Sequence, residues 1–92
     1  MLIKVKNLQG TSDNSVPSGY SSWLDFWEKK TGRKANKCSN TECYSKATVG
    51  AHVIKLDGTK EWYIVPLCDN CNNYHNEDGF FVNDYDLVKV NQ

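Results

Sequence analysis

An α+β fold is predicted for this chain of 92 residues, with a central β-hairpin and two short helices. Three observations carry that expectation. Tryptophans stand at helical spacing between residues 21 and 31, two β-prone runs are joined around an Asp-Gly pair, and a cysteine pair lies on either side of those runs. The length fits a single domain, 1–92. A chain this short buries a modest share of its surface, so its core calls for a covalent or metal staple.

The elements follow in order. Leu2 to Val5 alternates as Leu-Ile-Lys-Val and reads as a strand, placed at a sheet edge by its lysines. Residues 9 to 19 are loop by composition. Ser21 to Thr31 reads as a helix: Ser21 or Ser22 can cap it, Asp25 and Glu28 precede Lys29 and Lys30, and Gly32 suits a left-handed stop. Trp23 and Trp27, four apart, share one face of that helix, which reads as core in preference to a platform for stacking bases.

After a basic linker comes Cys38-Ser-Asn-Thr-Glu-Cys43. Thr48 to Leu56 and Lys60 to Val65 then form two extended runs around Asp57-Gly58, a pair that tolerates the positive φ of a tight hairpin turn. With a loop of only those two residues, His52 stands opposite Tyr63 and Val53 opposite Trp62. Pro66 ends the second strand, and a short helix runs from about Asp69 to Glu77 with Gly79 closing it. Phe80 to Val82 and Leu87 to Val90 read as further strand. The matched length and alternation of Leu2–Val5 and Leu87–Val90 suggest that these terminal strands pair with each other.

The cysteines carry the strongest chemical signal. No apolar run approaches the roughly 18 residues of a membrane span, and MLIKVKNLQG lacks the apolar stretch of a secretory leader. A cytoplasmic location is therefore expected, where thiols stay reduced and clustered cysteines serve as metal ligands more often than as disulfides. Cys38, Cys43, Cys68 and Cys71 can supply four sulfurs to one structural zinc ion, Zn2+, at tetrahedral corners. Two disulfides or four buried thiols are the alternatives. The zinc module spans about 38–78, with the N-terminal strand and Trp helix, 1–32, packed on it.

Ligand loop, hairpin, then a ligand pair at a helix start is the order of a treble-clef zinc finger. The stretch from Cys38 to His75 resembles the zinc-stapled HNH nuclease module in a degenerate form. Gly50-Ala51-His52-Val53-Ile54 matches the strand that bears the family's catalytic His, and Val65-Pro66-Leu67-Cys68-Asp69-Asn70-Cys71-Asn72 matches the segment that opens its helix. The resemblance covers roughly 40 residues and rests mainly on the cysteine frame. It implies His52 as a candidate general base. The chain departs from the family at two places: Ala51 stands where active members carry a metal-binding Asp or His, and Asn72 where many carry a second metal-binding His.

Charge is divided along the chain. Lys29, Lys30, Arg33, Lys34, Lys37, Lys46, Lys55 and Lys60 crowd residues 29–60, whereas Glu61, Asp69, Glu77, Asp78, Asp84 and Asp86 make the C-terminal third acidic. Three functions follow: a non-catalytic module binding nucleic acid through the basic stretch 29–60, a metal-dependent endonuclease using His52, and a zinc-stabilised adaptor for a protein partner. The missing donors at Ala51 and Asn72 favour binding over cutting. His75 reads as a solvent-facing residue or a hydrogen-bond donor to a thiolate.

Overall fold

A computed structural model describes residues 1–8, 16–57, 61–73 and 79–90 of the chain. Five antiparallel strands form one sheet, in the order β4-β1-β2-β3-β5. They are β1 (Leu2–Asn7), β2 (Val49–Lys55), β3 (Trp62–Leu67), β4 (Phe80–Asn83) and β5 (Val88–Lys89), with helices α1 (Trp23–Thr31) and α2 (Asp69–Asn73). This is a small α+β domain, and the hairpin β2–β3 lies inside the sheet.

Register sorts the side chains onto two faces, because partners directly opposite share a face and neighbours along a strand alternate. Val5, Ala51, Val53, Val65, Leu67, Phe80 and Val82 fall on one face and form a buried cluster together with Cys38 and Cys68. His52, Ile64, Ile54 and Trp62 fall on the other. There Ile64 joins Phe26, Trp27 and Val90 in a second buried cluster, with Tyr20, Trp23, Trp62 and Val88 packed around it. The sheet thus separates a cysteine-bearing core from an aromatic one.

Helix α1 has the ends its sequence foretells. Ser22 Oγ accepts a hydrogen bond from the Asp25 N–H at 3.0 Å, and Gly32, at φ 72°, donates its N–H to the Glu28 carbonyl at 2.9 Å. Trp27 is buried and donates its indole N–H to the Asp86 carbonyl at 2.7 Å, so its one polar group is satisfied in the core. The helix reaches the sheet at Gly50. A Cβ built there would stand 2.5 Å from both the Leu24 nitrogen and the Trp23 carbonyl carbon, so backbone meets backbone where only glycine fits.

Four expectations need correction. β1 is an interior strand between β4 and β2, and the N- and C-terminal strands do not pair: β5 lies beyond β3, on the far side of the hairpin. Short strands of similar alternation do not choose partners by length; the faces they must bury choose for them. In the hairpin, Ile54 stands opposite Trp62, His52 opposite Ile64 and Val53 opposite Tyr63. Residues 55–61 then separate the last partners, an odd number, which a two-residue Asp57-Gly58 loop cannot give; Gly58 and Lys60 themselves lie outside the described residues. Pro66 sits within β3, opposite Gly50, where β5 has already ended and the strand needs no further N–H on that side. Its carbonyl accepts the Ser39 N–H at 2.8 Å.

Replacing Gly50 by alanine should therefore push α1 off the sheet. We expect a loss of roughly 1–3 kcal/mol, the usual cost of overpacking, read as a lower urea midpoint with an unchanged denaturant slope.

Candidate metal centre

The two cysteine pairs reach one point from different elements. Residues 36–47 double back on themselves: the Ala47 N–H bonds the Asn36 carbonyl at 2.8 Å, the Cys38 N–H bonds the Ser45 carbonyl at 2.9 Å, and Lys37 and Lys46 form an antiparallel bridge. At the tip, Asn40 makes the turn. Its carbonyl accepts the Cys43 N–H at 2.9 Å and its side-chain oxygen accepts the Glu42 N–H at 3.0 Å. The loop is then sewn to the sheet through Ser39 to Pro66, and through the Thr41 N–H to the Phe81 carbonyl at 3.0 Å.

The second pair arrives on the β3–α2 junction. Cys68 follows the buried Leu67, and α2 begins at the next residue. The Thr48 hydroxyl donates to the Asp69 carboxylate at 2.9 Å, and Asn7, at the end of β1, donates its amide to the Cys71 and Asn72 carbonyls at 2.7 and 3.2 Å. Two distant parts of the chain, at Asn7 and Thr48, thereby fix the short helix.

All four cysteines are free thiols, and their Sγ atoms lie within 4.8 Å of one another. Cys43 Sγ and Cys68 Sγ are 3.7 Å apart. A tetrahedral ion about 2.3 Å from each sulfur requires sulfur–sulfur edges of about 3.8 Å, so the spacing suits a four-coordinate metal. Cys38 and Cys68 are buried, Cys43 and Cys71 half-buried. Asn40 donates its side-chain amide to Cys71 Sγ at 3.6 Å, and the Cys71 N–H points at Cys68 Sγ at 3.5 Å. Such N–H groups orient the sulfurs and stabilise their ionised form. Asn40 and Asn7 are contributors that sequence reading passed over; an Asn inside a ligand loop is the signal for the first, while the second is visible only in three dimensions.

The thiols are not equally ready to ionise. The Ser45 backbone N–H leads the influences holding Cys43 low, at about 7. Burial pushes Cys38 up. Burial, then the adjoining Cys68 and Cys38 thiols, push Cys71 well above the usual thiol range. Four sulfurs this close resist becoming thiolates together, and a divalent cation at their centre removes that resistance.

His52 belongs to the other face. It is 6% exposed and lies between Trp23 and Trp62, with ring centroids at 4.6 and 5.7 Å and both contacts edge-to-face. It does not pack on Tyr63, as the two-residue loop had implied. Its Nε2 is buried without a hydrogen-bond partner among the described residues, and burial lowers its pKa below the ordinary 6.5. Ala51, next along the strand, faces the cysteine core. Among the described residues the four cysteines are the only grouping of three or more His, Cys, Asp or Glu side chains placed to hold a metal. His75 and the residues up to Glu77, expected in the second helix, lie outside the described residues.

Comparison with protein-family models, with curated proteins and with solved structures finds no match to this chain.

Chelation should unfold much of the domain, since a tetrathiolate metal contributes on the order of 10 kcal/mol to apparent folding stability. Cys68→Ser and Cys71→Ser should be as damaging as chelation, read by circular dichroism during chelator titration; a metal-free sample that melts cooperatively would contradict this.

His52 gives a second expectation. Below pH 6.5 the unfolded chain takes up a proton that the folded chain refuses, so stability falls with acidity until the folded imidazole itself protonates. Between pH 7.5 and 5.5 the native protein should lose more stability than a His52→Phe variant, read as a larger fall in the urea midpoint with both kept metal-loaded.

Proposed function

We propose that this chain is a zinc-stapled binding module without nuclease chemistry, and that its ligand is nucleic acid held by the basic stretch 29–60. The observation that carries this reading is the placement of His52. It sits between two tryptophans, on the sheet face opposite the cysteines. A general base must reach a water and a scissile phosphate, and a catalytic divalent ion needs hard oxygen or imidazole donors beside it. The neighbours of His52 offer indole rings instead.

Zinc is the ion best suited to the cysteine site, because four soft sulfurs at tetrahedral spacing match its structural coordination and leave no open position for a reacting water. The order of ligand loop, hairpin and ligand-bearing helix is that of a treble clef. In this reading the metal shapes the fold and takes no part in a reaction.

Charge supports nucleic acid over a protein partner. Several carboxylates of the acidic third are occupied: Glu61 pairs with Lys89 at 2.8 Å, Asp84 with the N-terminal amine at 3.7 Å and Asp86 with Arg33 at 3.2 Å. Within the basic stretch, Lys29 is engaged by Asp25, and Lys37 Nζ by the Cys38 and Asn40 carbonyls. Lys34 and Lys46 are exposed and form no ion pair among the described residues. Lys30 and Lys55 likewise lack an ion pair there but lie over the Phe26 and Tyr63 rings, which leaves Lys34 and Lys46 the freer cations to meet phosphate.

Elemental analysis should find one zinc per chain. Binding to duplex DNA should weaken steeply with salt, with a log–log slope of about −0.9 for each phosphate neutralised. Lys34→Glu and Lys46→Glu should weaken it across all sequences. Plasmid incubated with Mg2+, Mn2+ or Ni2+ should stay intact; nicking that vanishes in His52→Ala would restore the endonuclease reading.

A further inference from the structure

We infer that the ligand is a single-stranded polynucleotide, whose bases stack on Tyr85, in the lining of a basic groove beside the cysteine loop, and on Tyr44, whose ring lies beside the groove's Lys37. This rests on the nucleic-acid role proposed above and narrows it. The groove, of about 230 Å³, lies where the α1 exit, the cysteine loop and the turn after β4 meet, and its lining includes Trp27, Arg33, Lys34, Lys37, Thr41 and Tyr85.

Two large aromatic side chains are left in water here. Tyr44 is 85% exposed and Tyr85 63% exposed, in a chain whose tryptophan-rich helix is packed against the sheet. Each ring has a cation beside it. Lys37 Nζ lies 5.2 Å from the Tyr44 centroid, and the Arg33 guanidinium lies 5.0 Å from both the Tyr85 and Trp27 centroids. Arg33 is fixed there by the Tyr85 carbonyl at 2.8 Å and by Asp86 at 3.2 Å. Among the described residues Asp86 is the one carboxylate lining the groove, and it is spent on Arg33 and on the Ser39 hydroxyl at 3.1 Å. Tyr85 is thus set as a platform before any ligand arrives.

The cysteine loop adds a second feature that favours an anion. Its bridge sets Lys37 directly opposite Lys46, an arrangement of like charges that disfavours the pairing by itself. Lys37 relieves part of this by turning onto the Cys38 and Asn40 carbonyls. A phosphate chain relieves the rest at Lys46 and Lys34. Exposed aromatics interleaved with cations fit unpaired bases, which offer π-faces to stack; duplex DNA hides those faces.

The test uses the zinc-loaded full chain and fluorescent oligonucleotides of about 12 nucleotides, a length within the range of known single-strand sites. The probes are oligo-dT, oligo-rU and a duplex of equal length. Single strands should bind more tightly than the duplex, with a log–log salt slope of about −0.7 per phosphate. Tyr44→Ala and Tyr85→Ala should each weaken single-strand binding about tenfold while leaving the salt slope and zinc content unchanged. Tyr→Phe at either position should retain binding. Lys34→Glu and Lys46→Glu should lower the slope. Equal binding of oligo-dT and oligo-rU indicates recognition through base and phosphate alone, and preference for oligo-rU adds a contact to the 2′-hydroxyl; both support the inference. A preference for duplex, or single-strand binding indifferent to both tyrosines, overturns it and leaves the nucleic-acid role standing. No binding to any probe at low salt overturns both.

Discussion

Four sulfurs brought within 4.8 Å of one another are the constraint on which the rest of this molecule hangs. They come from a doubled-back loop at 36–47 and from the junction of β3 with a five-residue helix. Neither could hold itself. An isolated helix of that length is far below the length at which helices persist in water. The loop is sewn to β3 and β4, the short helix is held by Asn7 from β1, and the apolar face of the sheet closes around Cys38 and Cys68; a cation shared by the four sulfurs would lock these pieces together.

The opposite face is closed by different means. Helix α1 brings Phe26 and Trp27 onto Ile64 and Val90, and it approaches closely because β2 has no side chain at Gly50. That approach also encloses His52, whose imidazole becomes part of an aromatic layer with Trp23 and Trp62. A packing requirement and a chemical consequence meet at one strand. The glycine that lets the helix dock is two residues from the histidine that docking buries. In a sheet with both faces covered, a residue's chemistry depends on its side as much as on its type, and the single step from Ala51 to His52 crosses from one core to the other.

Electrostatics follow the same division. The formal charge of the chain is zero, yet pairing is uneven: several acidic residues of the C-terminal third are matched with specific cations, while Lys34 and Lys46 have no carboxylate partner among the described residues. Tyr44 and Tyr85 stand exposed, each with a cation beside its ring, so positive charge and open aromatic faces occur together on this surface.

The sequence by itself determined the local features and the chemical inventory. The two cysteine pairs, the Ser22 and Gly32 ends of α1, the core role of Trp27 and the existence of a hairpin are all set by neighbours a few residues away, where spacing and residue type suffice. Tertiary structure decided what depends on distant partners. It placed β1 between β4 and β2, shifted the hairpin so that His52 meets Ile64, kept Pro66 inside a strand, and recruited Asn7 to hold a helix more than sixty residues away. The reason is physical. Strand order and register are fixed by which faces can be buried together, and that is a property of the whole sheet, invisible to any one strand.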